Sequence, residues 1–242
     1  MKKQHTAQVA IILTMFSVSL SGCAPLVGSF VNGYQAGRER TIARKLIHEG
    51  KNQEAIDHLT EALKFHKTGQ SYATMGLAYE NLHDYPEAIA ALDKAADMML
   101  NDASTKAVAK MKIVGEPTLG FVYSHMSTVY HAQKKLELAK DFADKAVEEE
   151  PNNALHHRYR AAVFYELGDT NKAIEDATKA IDIEPKTAVY YKARASYELH
   201  AKQFDKAIAD CNSGLALEPD NPTIVHLKEI ADRGLASASA KP

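Results

Sequence analysis

Residues 161–185 read AAVFYELGDTNKAIEDATKAIDIEP, and the fold is decided by how this stretch recurs. Its apolar and small residues, Ala161, Phe164, Tyr165, then Ala173, Ile174, Ala177, Ala180 and Ile181, fall on helical faces on either side of Gly168. Gly168 fits a left-handed C-cap between two helices. Pro185 stops the second helix, because proline has no amide proton and clashes with the preceding turn. The closing Glu184-Pro185 pair has copies at Glu150-Pro151 and Glu218-Pro219, at equal intervals on either side. Ala139, Ala173 and Ala207 keep that spacing, as do Tyr123, His157 and Tyr191. Upstream, Gly76, Ala88 and Ala95 repeat the small-residue pattern, and Ala43, Gly50, Ala55 and Ala62 repeat it again.

A 34-residue helix-turn-helix period with small residues at fixed places resembles the tetratricopeptide repeat. The resemblance implies an all-α, right-handed superhelical solenoid of about five units plus a C-terminal capping helix. The units span about 35–68, 69–102, 120–153, 154–187 and 188–221, so the solenoid covers 35–219 with an insertion near 103–119. A capping helix follows over 222–234, then a flexible tail over 235–242. Small residues at 161, 173 and 180 are where the repeat needs close helix approach. Three departures stand out. Lys67 and Leu100 replace the terminal proline in the first two units. Lys202 replaces the turn glycine in the fifth, and Gly214 replaces its last alanine, which predicts a looser final unit. The insertion lengthens the interval from Ala88 to Ala139 by half a period. It reads as an extension of the preceding helix and a loop ending at Pro117. It is either a tolerated surface loop or a contact for a partner.

The amino terminus carries a second signal. Met1-Lys2-Lys3 is basic, and Val9–Leu20 is a twelve-residue apolar run. Twelve helical residues rise about 18 Å, against roughly 30 Å of bilayer hydrocarbon, so a cleaved export signal over 1–22 is the better reading than a membrane span. Leu20-Ser21-Gly22-Cys23 resembles the lipobox of bacterial lipoproteins. That resemblance implies acylation of Cys23 and a mature chain beginning there. Ala24, where some lipoproteins have Asp, implies an outer-membrane anchor facing the periplasm. Residues 23–34 then read as the lipidated Cys and a short tether, roughly 35 Å at full stretch. The mature chain has 27 basic and 31 acidic side chains.

Composition sets limits on function. With 45 % apolar and 25 % charged residues the chain is an ordinary globular one. A formal charge of −2 argues against nucleic acid, whose binders present a basic face. Eleven histidines include no H-E-x-x-H, and the adjacent His156 and His157 point about 100° apart on a helix. No metal site, cofactor or catalytic set is expected. Cys211 occupies the place of Ala177 one unit earlier and reads as a buried small residue. Gly50-Lys51 lacks the rest of a phosphate loop.

In the repeat, first helices line a concave groove. By that analogy the groove collects Arg40, Arg44 and His48, then Leu77, Glu80 and Asn81, then Phe121, Thr128 and His131. Leu155, Arg158, Tyr165 and Glu166 follow, then Lys192, Ser196 and His200. The expected partner-binding residues are Arg40, Arg44, His131, Arg158, Tyr165 and Lys192. Basic side chains outnumber acidic ones in this set, which predicts a peptide with acidic character. The Lys/Asn clamp of chaperone adaptors is missing: Ala73, Leu77, His125, Ser124, Thr128 and Tyr159 stand at its places. The function expected is therefore a membrane-anchored scaffold for other envelope proteins or peptides. The alternatives are an envelope enzyme with a site in the groove or the insertion, and a cytosolic adaptor.

Overall fold

The computed structural model describes residues 24–101 and 116–239. These residues form eleven helices in sequence: α1 Ala24–His48, α2 Asn52–Phe65, α3 Gly69–Asn81, α4 Tyr85–Asn101, α5 Leu119–Ala132, α6 Leu136–Glu149, α7 Ala154–Glu166, α8 Thr170–Ile183, α9 Ala188–His200, α10 Phe204–Leu217 and α11 Pro222–Ser239. Consecutive helices pair into five units, α1/α2 to α9/α10, and α11 packs on the last pair. Cys23 and residues 1–22, read above as an export signal, lie outside the described residues, as do positions 102–115 of the insertion and 240–242.

The alanines that set the period are the core. Ala43, Ala55, Ala62, Ala88, Ala95, Ala139, Ala146, Ala161, Ala173, Ala180, Ala195 and Ala207 are all fully buried. A side chain of one carbon lets the two backbones of a unit approach, and a larger one would force them apart. Gly76 shows the limit: a Cβ there would lie 2.6 Å from Cγ of Leu92. Cys211 is buried and free, as its register with Ala177 predicts.

Each first helix also contacts the first helix of the next unit, from α1–α3 through α7–α9. Among the described residues, successive second helices make no comparable contact. A stack whose first helices crowd together while its second helices splay must curve with the first helices inside. This is the superhelical solenoid read from the sequence.

All five turns within units have one conformation. The residue two positions past each first helix takes a left-handed φ: Gly50 at 76°, His83 at 60°, Lys134 at 60°, Gly168 at 85° and Lys202 at 57°. The next amide reaches back five residues, as in Asp169 N–H to the Phe164 carbonyl at 2.9 Å and Gln203 N–H to the Glu198 carbonyl at 2.8 Å. The fifth unit is therefore not looser at its turn. Gly214 is likewise filled, since a Cβ there would lie 3.0 Å from Ile224 Cδ1 of the cap.

Two boundaries need correction. Residues 24–34 are not an extended tether but the start of α1, so their reach falls to about 17 Å. The buried core still begins at Ala36, while Phe30 and Tyr34 stay exposed. The cap runs to Ser239, which takes residues 235–239 from the tail. In unit two the second helix is extended as the insertion predicts: α4 continues through Leu100 to Asn101, 17 residues against the 14 of α2, α6, α8 and α10.

Candidate functional site: the inner wall of first helices

The recurring Glu-Pro pairs do more than end helices. Glu150 Oε2 accepts from His156 Nε2 at 3.0 Å and from Asn153 Nδ2 at 2.9 Å. One unit later Glu184 Oε2 accepts from the Tyr190 hydroxyl at 3.1 Å. The proline carbonyls accept too: Pro151 from His157 Nε2 at 2.9 Å, Pro185 from the Tyr191 hydroxyl at 3.0 Å. Each pair thus fastens the end of one unit to the start of the next. The bond from His156 outweighs burial and, with Asn153 and Thr118, draws the Glu150 carboxyl down to about 2. Burial, then the Glu184 charge, pushes the Tyr190 hydroxyl up to about 12. His156 and His157 are thereby accounted for as joint residues. Among the described residues no group of His, Cys, Asp and Glu is arranged to hold a metal ion.

On this frame the first helices present the expected groove residues in two groups. At the amino-terminal end, Arg40 Nε lies 3.0 Å from Glu116 Oε2 and Arg44 Nη1 lies 3.2 Å from Glu116 Oε1. Arg40 Nη1 also donates to Thr68 Oγ1 at 3.5 Å. At the carboxy-terminal end, Tyr165 packs on Tyr197 with ring centroids 4.9 Å apart and meets His200 edge-on at 5.2 Å. Arg158 lies over the Tyr159 ring at 4.9 Å, a cation–π contact. Its Nε is buried and makes no hydrogen bond. Lys192 holds the position of Arg158 one unit on and is half-buried. Leu155, one helical turn before Arg158, is exposed.

Between the two groups the wall is cross-linked. His125 Nδ1 bonds Glu80 Oε2 at 2.6 Å, and His131 Nε2 lies 3.2 Å from Glu166 Oε1. Lys134 Nζ also donates to Glu166, at 2.8 Å, and that bond, ahead of the charge of His131, lowers the Glu166 carboxyl. His131 is thus engaged with Glu166, while Tyr165 is half-buried against the next unit. The structure brings Arg40 to Arg44 and Tyr165 to its aromatic neighbours; it leaves the two basic groups at opposite ends of the array. Sequence reasoning missed Glu116 and Tyr197, and it placed His125 at a clamp position without its partner Glu80. For Tyr197 a signal existed, since it falls one unit after Val163 on a helix already assigned. For Glu116 none did, because its partners lie two units upstream.

Segments 69–98, 122–153 and 160–187 match the tetratricopeptide repeat. No curated protein matches the chain. Among solved structures, the Cut9–Hcn1 hetero-tetramer of APC/C superposes with a TM-score of 0.67 at 18 % identity, over 81 % of this chain and 36 % of that one. The chain therefore spans little more than a third of that protein. MamA from Desulfovibrio magneticus RS-1 superposes at 0.56 with 21 % identity, over 78 % and 97 % of the two chains. YrrB, described as a TPR protein with an unusual peptide-binding site, superposes at 0.56 with 17 % identity, over 79 % and 90 %. At these identities the likeness establishes the fold, a tetratricopeptide-repeat array.

Proposed function

We propose that this chain is a non-enzymatic scaffold which binds an acidic segment of another protein along its inner wall, while lipid on Cys23 holds it to the bacterial outer membrane, facing the periplasm. The observation that carries the reading is the carboxy-terminal half of the wall. There Leu155 is exposed one helical turn before Arg158, Lys192 takes the place of Arg158 one unit on, and the half-buried Tyr165 packs on the buried Tyr197 and meets His200. Arg and Tyr with an apolar neighbour are what anchor a peptide, because they combine desolvated area with a directed charge. YrrB, of like fold, is described by its peptide-binding site, which supports the same use of this one. Anchoring rests on the order of basic start, short apolar run and Leu20-Ser21-Gly22-Cys23.

Photo-crosslinking in living cells tests the binding role. A crosslinker at Arg158 or Tyr165 should capture a defined envelope protein, and one at the exposed Lys179 on α8 should not. Equal capture from both faces removes the groove assignment. Fatty-acid labelling that persists in Cys23→Ser removes the anchor and leaves the groove reading intact.

A further inference from the structure

We propose that Arg40 and Arg44 form a carboxylate-reading subsite of the wall, and that Glu116 is its built-in occupant, which an acidic peptide must displace. The inference rests on the groove reading above and adds a second subsite and a means of restraining it. Arg40 and Arg44 are one helical turn apart on α1, so their guanidinium groups converge. They take one oxygen each of a single carboxylate, at 3.0 and 3.2 Å. All three side chains are mostly buried, with exposures of 15 %, 29 % and 17 %, so the charges act with little screening. A guanidinium presents a planar fork of donors that matches a carboxylate, so the pair recognises this group by shape as well as by charge.

Glu116 meets this pair as a peptide ligand would. It comes from the end of the insertion, three residues before α5 and beyond the whole of unit two, and is not part of α1 or its partner helix. Pro117 follows it, and a residue before proline is pushed toward extended backbone. Thr118 then fixes the segment by accepting the Phe121 amide at 3.1 Å, the N-cap of α5. The carboxylate is therefore presented from a bend two residues before the capped start of α5, at an effective concentration of at least the order of millimolar. Its fit is imperfect. Arg40 Nε and Glu116 Oε2 are both buried, and although they are close, neither makes a well-aligned hydrogen bond. Buried polar atoms left in that state cost about 1–3 kcal/mol, so a free carboxylate able to align with Arg40 competes on good terms.

The test is fluorescence anisotropy of the full chain with fluorescein-labelled hexaglutamate at fixed salt. Glu116→Gln is expected to bind the probe about three- to tenfold more tightly than the unchanged chain, the gain from removing a millimolar tethered competitor. Adding Arg40→Gln and Arg44→Gln to that variant should abolish the gain. If Glu116→Gln melts early, Glu116→Asp withdraws the carboxylate from both guanidinium groups and should give a smaller gain in the same direction. Unchanged affinity in both Glu116 variants, with weakening in Arg158→Gln/Lys192→Gln, overturns this inference and leaves the groove reading standing. A gain that survives loss of Arg40 and Arg44 also overturns it. Absence of probe binding by every variant overturns both.

Discussion

In unit three, Tyr123, Met126 and Phe142 meet where unit four has His157, Arg160 and Asp176, and where unit five has Tyr191, Arg194 and Asp210. The first joint is apolar: Tyr130 and Phe142 stack at 5.4 Å with Met126 buried beneath them. The other two are ionic. Arg160 Nε and Nη2 donate to Asp176 at 2.7 and 2.8 Å, and His157 Nδ1 donates to the same carboxylate at 2.8 Å. Arg194 repeats the fork on Asp210 at 2.7 and 2.8 Å. Each arginine also reaches the preceding unit, Asp144 for Arg160 at 3.1 Å and Thr178 for Arg194 at 3.0 Å. Unit one has a third version, Glu39 with His58 at 2.6 Å. The backbone pairing is common to all of them, so the alanines fix the geometry and the joint chemistry is exchangeable. An ionic joint adds direction: it ties a unit to its predecessor through one planar group, which an apolar contact does not do.

Breaking one ionic joint is the harshest challenge to that view. Burial alone would raise the Asp176 carboxyl, but the bonds and charges of Arg160 and His157 outweigh it and hold it below its ordinary value. Asp176→Asn leaves Arg160 half-paired in a buried place and is expected to cost about 3 kcal/mol, the lower end for a broken buried pair because Asp144 remains. The triple change His157→Tyr, Arg160→Met, Asp176→Phe installs the joint of unit three. It is expected to fall within about 1 kcal/mol of the unchanged chain, since replacing a whole buried pair by packed apolar groups is often neutral or better. Tyrosine at 157 can still donate to the Pro151 carbonyl, as Tyr191 does to Pro185. Urea denaturation reads both. If the triple variant loses as much as Asp176→Asn, joint chemistry is not exchangeable.

A smaller effect separates unit five from unit four. Glu198 stands where unit four has Phe164 and unit three has Tyr130. Its side chain is 5 % exposed, and Arg194, 3.9 Å away, is already committed to Asp210. Burial, and next the Asp210 charge, push the Glu198 carboxyl up to about 7. A carboxyl raised on folding binds more protons folded than unfolded, so its ionisation costs stability above pH 7, and the cost disappears as pH falls toward 4.5. Glu198→Gln is expected to stabilise the chain by about 2 kcal/mol at pH 8 and to change little at pH 5. Glu150 and Asp176 act in the opposite sense: their contributions are complete above their unfolded values and are lost in acid. The unchanged chain should therefore be most stable near pH 5. Thermal melts of both proteins from pH 4 to 8 show this, and parallel profiles would mean that Glu198 is already neutral or already solvated.

These joints mark where reading the sequence stops. The alanine period gave five units and the correct buried faces, because small residues at helix crossings admit few alternatives. Arg160/Arg194 and Asp176/Asp210 recur one period apart in plain view, yet Asp176 looks like any polar residue on a charged helix. Only the crossing of the two helices brings residues 160 and 176 within 2.7 Å of each other. In the wall, the phase located the first-helix positions of Arg40, Arg44, Arg158, Tyr165 and Lys192. It could not reveal that Glu116 neutralises a charge at the first two, because that contact depends on where the insertion returns. The left-handed turns at His83, Lys134 and Lys202 were hidden for the opposite reason: packing on both sides imposes a conformation that the local residue does not favour.

That last point yields the smallest effect, again between units four and five. Gly168 and Lys202 occupy the same turn with the same bonds, at φ of 85° and 57°. Lysine in the left-handed region carries a Cβ clash worth about 1–2 kcal/mol, whereas glycine has none but loses more entropy on folding. The two terms differ by a modest amount, so Lys202→Gly is expected to stabilise the fifth unit by about 0.5 kcal/mol, and Gly168→Lys to destabilise the fourth by about 1 kcal/mol. Lys202 is exposed, so the change disturbs little besides the turn. Urea midpoints with unchanged slope measure both substitutions. A loss of stability in Lys202→Gly would mean that the lysine contributes a contact that outweighs its strained backbone, and the two turns would then be alike in shape but not in what holds them.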